Sequence, residues 1–560
     1  MPDSPQPSLE RCIALRLMPD IRRYAEHGAA QPVRVIPPSL AAGLARLQPG
    51  GVILFRENLV DIGQARELIA ELRELSSGLL VGVDQEGGRV TRLPREACTS
   101  FTGAMALAAC PEPERSSIAG QFATAQAEEL RALGFNLNFA PCLDVNSNPL
   151  NPVIHVRSFG DDPALVARLG GALVTAMQTA GVAACVKHFP GHGDTCEDSH
   201  TGLPRVDRSR EEAGRIDLAP FASVFASARP ATLMSAHIQY PALDASTLPG
   251  SDVVRPATLS RAIITDLLRT QMGYRGVVIS DALDMAAISE LLAPEAAVLE
   301  CFRAGVDIAL MPLRARDPAG LDRLEALVDY IAGRVRAGEL DEAEMRASAA
   351  RVAALQAAYP AAAVGKPGGV GVLSHRHLEK HLAELSITCL HGTPVPLAPG
   401  TRVHLLMPDA ASARAMARAL TLVQPALVIS SQSLDRLDIE RERELARAAQ
   451  HYIVGISEPA PSAVVAGGAE DTLVQRSAAP TSLCRALLED ATGVRRTVLM
   501  LGSPYPAPTF FDCAETVLAS YDGAAVGWGG APGPAFGALA EVLVGRLAAR
   551  GCLPVKLPAP

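Results

Sequence analysis

Short apolar runs recur along the chain up to about residue 310, and stretches with helical spacing separate most of them. The runs are GGVILF (50–55), LLVGVD (79–84), FNLNFAP (135–141), VAACVKHF (182–189), ATLMSAHI (231–238), GVVISD (276–281) and VDIALM (306–311). One of the helical stretches is ARELIAELREL (65–75). Strand alternating with helix predicts a parallel sheet, and near-continuous apolar runs predict strands that are covered on both faces.

The seven runs come close to the eight strands of a TIM-type (β/α)₈ barrel, and a doubly wound sheet is the alternative. Most runs end in a polar residue: Asp84, Lys187 with His188, His237 and Asp281. A barrel brings the carboxyl ends of all its strands to one mouth, whereas an open sheet spreads many of them along its edge. We therefore predict an α/β fold with a (β/α)₈ barrel.

A second alternation of strand and helix follows a segment rich in Gly, Pro and Ala, AAAVGKPGGVGVLS (361–374). Its apolar runs are RVHLLMPD (402–409), ALVISS (426–431), HYIVGIS (451–457), RTVLMLGSP (496–504) and TVLASY (516–521). We predict a barrel domain over 1–358, a linker over 359–375 and a smaller α/β layered-sheet domain over 376–560. A mobile loop is expected near PSAVVAGGAEDT (461–472).

Composition and charge exclude several classes of protein. The 560 residues are 48% hydrophobic and carry a formal net charge of -9, without the dense Lys/Arg run that a nucleic-acid partner requires. No apolar stretch is long enough to span a membrane, and the first residues lack the pattern of a secretory signal. The 11 cysteines are scattered, as is typical of reduced thiols. We expect a cytoplasmic protein.

The densest chemical signal is KHFPGHGDTCEDSH (187–200), a Gly- and Pro-rich loop that follows a strand. Asp198 and His200 are two residues apart, so their side chains share a face in extended backbone. A carboxylate bonded to one ring nitrogen fixes the tautomer of a histidine and makes it a proton donor and acceptor near neutral pH.

The same loop also offers His188, His192, Cys196, Asp198 and His200 as zinc ligands. Their spacing matches no common zinc site, and Pro and Gly are sufficient to shape the loop. We therefore predict neither a metal nor another cofactor.

Two further segments place charged groups at strand ends. Asp281, in GVVISDALDM (276–285), could serve as nucleophile, base or metal ligand at a barrel mouth. Asp84 ends a strand in GVDQEGGRVTRLP (82–94), where Gly87 and Gly88 predict a turn with close backbone approach. A ring of Asp, Arg, Lys and His around an apolar cavity suits the hydroxyl groups of a sugar.

These segments together resemble glycoside hydrolase family 3, in its β-N-acetylglucosaminidase branch, over nearly the whole chain. The motifs are DQEGGR, NFAPCLDVN, RSFG, KHFPGHGDTCEDSH and SDALDM in the first half, and LGSPYP (501–506) in the second. KHFPGHG followed by DSH is highly specific, because the β-glucosidases of this family lack that DSH.

The resemblance implies a role for each matching residue. Asp281 would attack the anomeric carbon, His200 would act as acid and base, and Asp198 would orient His200. The residues that would hold the sugar in the first subsite are Asp84, Arg92, Arg157, Lys187 and His188. Asp144 and Asn146, in LDVN, would brace the pocket.

The resemblance also implies a retaining exo-β-N-acetylglucosaminidase whose substrate is a small carbohydrate with a terminal β-linked N-acetylhexosamine. Muropeptide fragments of the cell wall would be the natural source in a bacterial cytoplasm. A phosphorylase is one alternative, because a histidine acid/base does not repel an incoming phosphate as a second carboxylate would. A sugar-binding protein on a catalytically retired barrel is the other alternative.

Overall fold

The computed structural model of the protein describes residues 6–76, 78–199, 202–360, 369–457 and 481–559. The strands of its amino-terminal domain are β1 (Leu17–Met18), β2 (Arg23–Tyr24), β3 (Gln31–Pro32), β4 (Gly51–Ile53), β5 (Leu80–Val83), β6 (Leu137–Asn138), β7 (Ala183–Phe189), β8 (Thr232–Ser235), β9 (Val277–Ile279) and β10 (Ala309–Leu310). Its α-helices are α1 (Leu9–Ala14), α2 (Pro38–Leu47), α3 (Ile62–Leu75), α4 (Ala104–Ala109), α5 (Glu114–Leu133), α6 (Pro163–Thr179), α7 (Arg210–Arg215), α8 (Leu218–Ser227), α9 (Ala286–Ser289), α10 (Pro294–Ala304), α11 (Pro318–Arg336) and α12 (Glu342–Ala358). Ala262–Gln271 forms a π-helix.

Eight of these strands form a closed parallel ring within the described residues. Strands β4 to β9 pair in sequence order, and β1 pairs with β10. Parallel bridges from Asp20 to Ile53 and from Ile279 to Ile308 join the two groups. The predicted (β/α)₈ barrel is therefore confirmed, and the seven predicted runs contain β4 to β10. The eighth strand, β1, has two residues, which is too short for a periodicity to be seen.

Side chains alternate along each barrel strand between the interior and the helix layer. On β7, Ala183 and Cys185 belong to an apolar cluster to which all eight strands contribute, and this cluster fills the barrel. Ala184 and Val186 instead pack in the larger cluster beneath the helices. The strands are thus apolar on both faces, which explains why their sequences lack alternation.

The helices begin and end where local chemistry satisfies their backbone. Asp61 caps α3 by accepting a hydrogen bond from the backbone N–H of Gln64. The buried face of α3 includes Ala65, Leu68 and Leu72, at the spacing of an amphipathic helix. Gly134 ends α5 in the left-handed region, at a φ of 108°.

The carboxyl-terminal domain is a six-stranded mixed sheet with helices. Its strands are β11 (Thr388–Gly392), β12 (Arg402–Met407), β13 (Val428–Ser433), β14 (His451–Ile456), β15 (Arg495–Met500) and β16 (Thr516–Ala519). Its helices are α13 (Leu373–Ser386), α14 (Ala410–Val423), α15 (Ile439–Ala448), α16 (Thr481–Asp490) and α17 (Pro534–Leu543). The strand order is β11-β16-β15-β14-β12-β13, and β11 is antiparallel to its neighbour.

The second predicted α/β domain is thus confirmed, with the edge strand β11 as an addition to the five predicted runs. The domain boundaries stay a prediction; α12 ends at Ala358 and α13 begins at Leu373. The loop predicted over 461–472 lies outside the described residues. Within the described residues, no helix combines the length and the apolar character needed to cross a membrane.

Candidate active site

Strand alternation carries three of the predicted residues to the interior side of the barrel mouth. On β9, Val277 and Ile279 lie in the interior cluster, and Asp281 follows two residues later. Because side chains two residues apart share a face of a strand, Asp84 after β5 and Lys187 near the end of β7 also lie on the interior side. All three stand at the carboxyl ends of their strands, where barrel enzymes carry their chemistry.

A break in the β7–β8 register allows two adjacent residues to contribute to one site. The register shifts between Val186 and Phe189, so that β7 carries an extra residue at its carboxyl end. The Lys187 side chain bonds to Asp84, and the next side chain, His188, contacts Arg157. In a regular strand, neighbouring side chains would point to opposite faces.

A network of two cations and two carboxylates occupies the mouth. Lys187 Nζ donates to Asp84 Oδ1 at 2.8 Å and to Glu86 Oε1 at 2.7 Å. Arg157 forms a bidentate pair with Glu86, from Nε to Oε2 at 3.0 Å and from Nη2 to Oε1 at 2.8 Å. The Asp84 side chain is 17% exposed and the Lys187 side chain 2%. Asp84 is therefore the more exposed member of this pair.

The network keeps Glu86 and Lys187 ionised despite their burial. Burial raises the pKa of Glu86, but Arg157 and Lys187 outweigh that effect and hold the pKa below its ordinary value. Burial lowers the pKa of Lys187, but Asp84 and Glu86 outweigh it and hold the pKa above its ordinary value. Fixed charges of both signs thus line the mouth near neutral pH.

His188 is held in one orientation by Asp144. The ring Nδ1 lies 2.7 Å from Asp144 Oδ2, and Arg157 Nη2 lies 3.3 Å from the ring Nε2. Because an arginine only donates, the ring Nε2 must accept this hydrogen bond. The ring proton is then on Nδ1, which donates a hydrogen bond to Asp144. Burial raises the pKa of Asp144, but His188 and His192 outweigh it and lower the pKa overall. The predicted bracing role of Asp144 agrees with these contacts.

The loop that follows β7 is tied down by its own polar groups. His192 bonds through Nδ1 to Thr195 Oγ1 at 2.8 Å and through Nε2 to Ser199 Oγ at 3.2 Å. Burial lowers the pKa of His192 to about 4, so this ring is neutral at physiological pH. Asp198 is half-buried near the end of the loop. His200, the predicted acid/base, lies outside the described residues.

The backbone around Asp281 is supported from two sides. Asp281 Oδ1 accepts a hydrogen bond from the N–H of Ala282 at 2.8 Å, and the carbonyl of Ala282 lies 2.9 Å from His237 Nε2. The carbonyl of Ser199 accepts from the N–H of Ala287 at 3.4 Å. The end of the Asp198 loop therefore meets the segment that carries Asp281.

Arg92 lies beside the same carboxylates. It is 2% exposed, and its backbone N–H donates to Gln85 Oε1 at 2.9 Å. Burial lowers the pKa of Arg92, while Asp84 and Glu86 act in the opposite direction. The tight turn before it needs glycine, since a Cβ on Gly88, at a φ of 57°, would lie 3.0 Å from a backbone oxygen.

One cluster of potential metal ligands lies within the described residues, namely Cys142, Asp144 and His188. Its atoms already bond to one another, because Asp144 Oδ2 lies 2.7 Å from His188 Nδ1 and accepts from Cys142 Sγ at 3.1 Å. Burial raises the pKa of the Cys142 thiol well above its ordinary value, whereas a metal requires the thiolate. The cluster therefore fits a bracing role better than a metal site.

Sequence reasoning assigned no role to Glu86 or His237. Glu86 stands two residues after Asp84, so the spacing of the two carboxylates was a usable signal for a shared face. The contact of His237 with Ala282 joins the ends of two neighbouring strands, and a single sequence contains no signal for it. Asp84, Lys187, Arg157 and His188 share one network, and Asp281 and Arg92 lie at the same mouth.

A closed (β/α)₈ barrel with charged groups at its mouth is typical of barrel enzymes. The family model described as "Glycosyl hydrolase family 3 N terminal domain" matches residues 35–355. The chain belongs to this family, and it is a glycoside hydrolase.

Curated relatives and solved structures agree with the family. The chain is 40% identical to Beta-hexosaminidase A of Pseudoalteromonas piscicida, over 96% of this chain and 95% of that protein. It is 37% identical to a Beta-hexosaminidase of Pseudomonas aeruginosa, over 47% of this chain and 74% of that protein. A family 3 β-N-acetylglucosaminidase from Paenibacillus sp. has a TM-score of 0.81 and 31% identity, with 98% of this chain and 99% of that chain covered.

Proposed function

We propose that the protein is a retaining exo-β-N-acetylglucosaminidase that removes terminal β-linked N-acetylhexosamine through a covalent intermediate on Asp281. The observation that carries this proposal is the position of Asp281 on the interior side of β9, at the same mouth as the network of Asp84, Lys187 and Arg157. The substrate is supported by the relatives named β-hexosaminidase, one of them 40% identical over nearly the whole chain.

The network suits the recognition of one terminal sugar. Asp84 is positioned to accept hydrogen bonds from ring hydroxyls, because Lys187 holds one of its oxygens from the buried side. Arg92, Arg157 and Lys187 supply donors around it, and the ring of His188 lies against Arg157. Cations that are already paired with Glu86 and Asp84 need no reorganisation when the neutral sugar enters.

The proposed chemistry has two steps. In the first, Asp281 forms a bond to C1 of the sugar while the bond from C1 to the leaving oxygen breaks, and His200 donates a proton to that oxygen. In the second, His200 takes a proton from water, which attacks C1 and releases Asp281. Asp198 orients His200. The hydrogen bond between Ser199 and Ala287 joins the loop of Asp198 to the segment that follows Asp281, which supports the pairing of Asp281 with an acid/base from this loop.

We further propose that the enzyme works in the cytoplasm on muropeptide fragments. All 11 cysteines are free thiols and most are buried, which fits a reducing compartment. Fractionation of the host cell, with marker enzymes for each compartment, tests this location.

A panel of nitrophenyl glycosides, assayed with and without millimolar phosphate, tests the function. We expect release of N-acetylglucosamine from the β-N-acetylglucosaminide, at a rate independent of phosphate. Formation of a sugar 1-phosphate would instead establish a phosphorylase, and binding without turnover would establish a retired sugar-binding protein. A fluorinated sugar should leave a covalent adduct on the peptide that contains Asp281, as read by mass spectrometry.

A further inference from the structure

One side chain of the carboxyl-terminal domain reaches the barrel loop that carries the sugar-binding arginine. Tyr505 follows β15, within LGSPYP, and is 6% exposed. Its hydroxyl accepts a hydrogen bond from Asn146 Nδ2 at 2.6 Å and lies 3.3 Å from the Asn146 carbonyl, to which it donates. The ring packs edge-on against His155, with centroids 5.6 Å apart. Tyr505 thus contacts both ends of one barrel loop.

From Asn146 the contacts continue to the charged network. Asn146 Oδ1 accepts from the backbone N–H of His155 at 2.9 Å. His155 has a φ of 41°, a left-handed conformation that a residue with a side chain rarely adopts and that its surroundings must hold. Arg157 is two residues further along, and its guanidinium grips Glu86 and faces His188. The backbone that positions Arg157 is therefore held through Asn146.

The junction of the two domains does not depend on the Tyr505 hydroxyl. Cys552 donates from its backbone N–H to the Ala109 carbonyl at 2.7 Å, and Gly529 donates to the Glu96 carbonyl at 2.9 Å. These contacts lie on other segments of both domains and remain if the hydroxyl is removed. A variant that lacks only this oxygen should keep the domains docked, and its effect should be local.

We propose that Tyr505 is a positioning residue of the sugar-binding site, supplied by the carboxyl-terminal domain. Through Asn146 and the backbone of His155, it holds Arg157 in the orientation that the first subsite requires. The barrel site is then complete only with the second domain in place. This inference rests on the proposed function of that site, because Arg157 is taken to contact the sugar.

Kinetics of Tyr505→Phe with a nitrophenyl β-N-acetylglucosaminide test the proposal. The variant keeps the ring and removes one hydrogen-bonding oxygen, so we expect KM to rise roughly fivefold to tenfold with little change in kcat. The affinity for free N-acetylglucosamine, measured by calorimetry, should fall by a similar factor. A double variant with Asn146→Ala should lose less than the product of the two single losses, because both changes break the same contact.

Tyr521→Phe is the matched control. Tyr521 is also buried in the same domain, and its hydroxyl donates to Thr388 Oγ1 at 2.8 Å within that domain. This variant should keep the KM of the wild type even if its urea midpoint falls. An unchanged KM in Tyr505→Phe, or an equal rise in both variants, would overturn the positioning role alone. Absence of turnover in the wild type would instead count against the proposed function.

Discussion

Two buried carboxylates, Glu86 in the barrel and Glu442 in the second domain, are held by different kinds of partner. Glu86 is paired with two permanent cations, Lys187 and Arg157. Glu442 is fully buried and accepts from Tyr452 Oη at 2.8 Å and from Gln432 Nε2 at 2.9 Å, and its Oε2 lies 3.0 Å from His404 Nε2. The first network is built on charge pairs and the second on mostly neutral partners.

The two networks also differ in where they end. The barrel network continues from Lys187 to Asp84, which is 17% exposed at the mouth. The Glu442 network instead ends at the edge strand β13, since His404 continues to the half-buried Ser430, whose Oγ lies 2.8 Å from the ring Nδ1. A polar network that ends at a barrel mouth can contact a ligand there, whereas one that ends at the edge of the second sheet contributes to the stability of that domain. The comparison predicts that equal changes in the two networks have different consequences.

The largest expected effect is that of Asp281→Asn, at the mouth itself. Loss of the proposed nucleophile should lower kcat by roughly 10⁴-fold to 10⁶-fold, because the amide of Asn is a poor nucleophile at C1. Asp284→Asn is the matched control, since that carboxylate pairs with Arg314 at 3.2 Å. Steady-state kinetics on purified variants measure both. Normal turnover in Asp281→Asn would refute the proposed mechanism.

Glu86→Gln should follow, with losses in both activity and stability. The change leaves Lys187 and Arg157 short of one buried negative charge, which should cost about 3–5 kcal/mol of unfolding free energy. Displacement of the two cations should lower kcat/KM roughly 100-fold. Urea unfolding and kinetics measure the two losses, and Glu86→Asp, which keeps the charge, should lose less of each. Full activity in Glu86→Gln would show that the network does not orient the site.

Glu442→Gln makes the same chemical change in the network of the second domain. We expect a loss of about 1–3 kcal/mol in unfolding free energy, because hydrogen bonds from Tyr452 and His404 to a charged group are weakened. The KM and kcat of the folded protein should equal those of the wild type. A lower kcat in fully folded protein would show that the two networks are not independent.

A third buried carboxylate, Glu379 on α13, shows what happens to the pKa when cations such as those beside Glu86 do not outweigh burial. Burial raises the pKa of Glu379 to about 7, and Glu129 adds to the effect. The folded state keeps this proton up to about pH 7, whereas unfolded glutamates lose it near 4.5. The stability that this group contributes is fully present below pH 4.5. It falls by up to about 1.4 kcal/mol per pH unit as the pH rises from 4.5 to about 7.

Urea midpoints measured between pH 4.5 and 7 test whether stability falls as the pH rises. Glu379→Gln should flatten the profile and stabilise the protein at the alkaline end. Glu384→Gln, on the same helix and paired with Lys380 at 3.5 Å, is the control and should leave the profile unchanged. A steeper alkaline loss in Glu379→Gln would show that the ionised form is the stabilising one.

Sequence reasoning predicted the position of candidate residues where a local rule decides it, and their roles stay predictions. Asp84, Lys187 and Asp281 stand at or near the end of an apolar run, and the carboxyl ends of all strands lie at one mouth of a barrel. Their position at this mouth could therefore be predicted. Sequence reasoning failed where partners are distant along the chain. Arg157 and Glu86 are 71 residues apart and Asn146 and Tyr505 are 359 residues apart, and no periodicity links such positions. The short strand β1 escaped notice for lack of length.

The sequence by itself determined the alternation of strand and helix, the two α/β domains, the family and the candidate groups at the strand ends. These follow from periodicity and local motifs, which act over a few residues. Only the tertiary structure decided which charges pair: closure of the ring brings Glu86 between Lys187 and Arg157, and a bulge turns His188 to the same site. Pairing depends on where distant segments meet in space, and that is set by the packing of the whole chain.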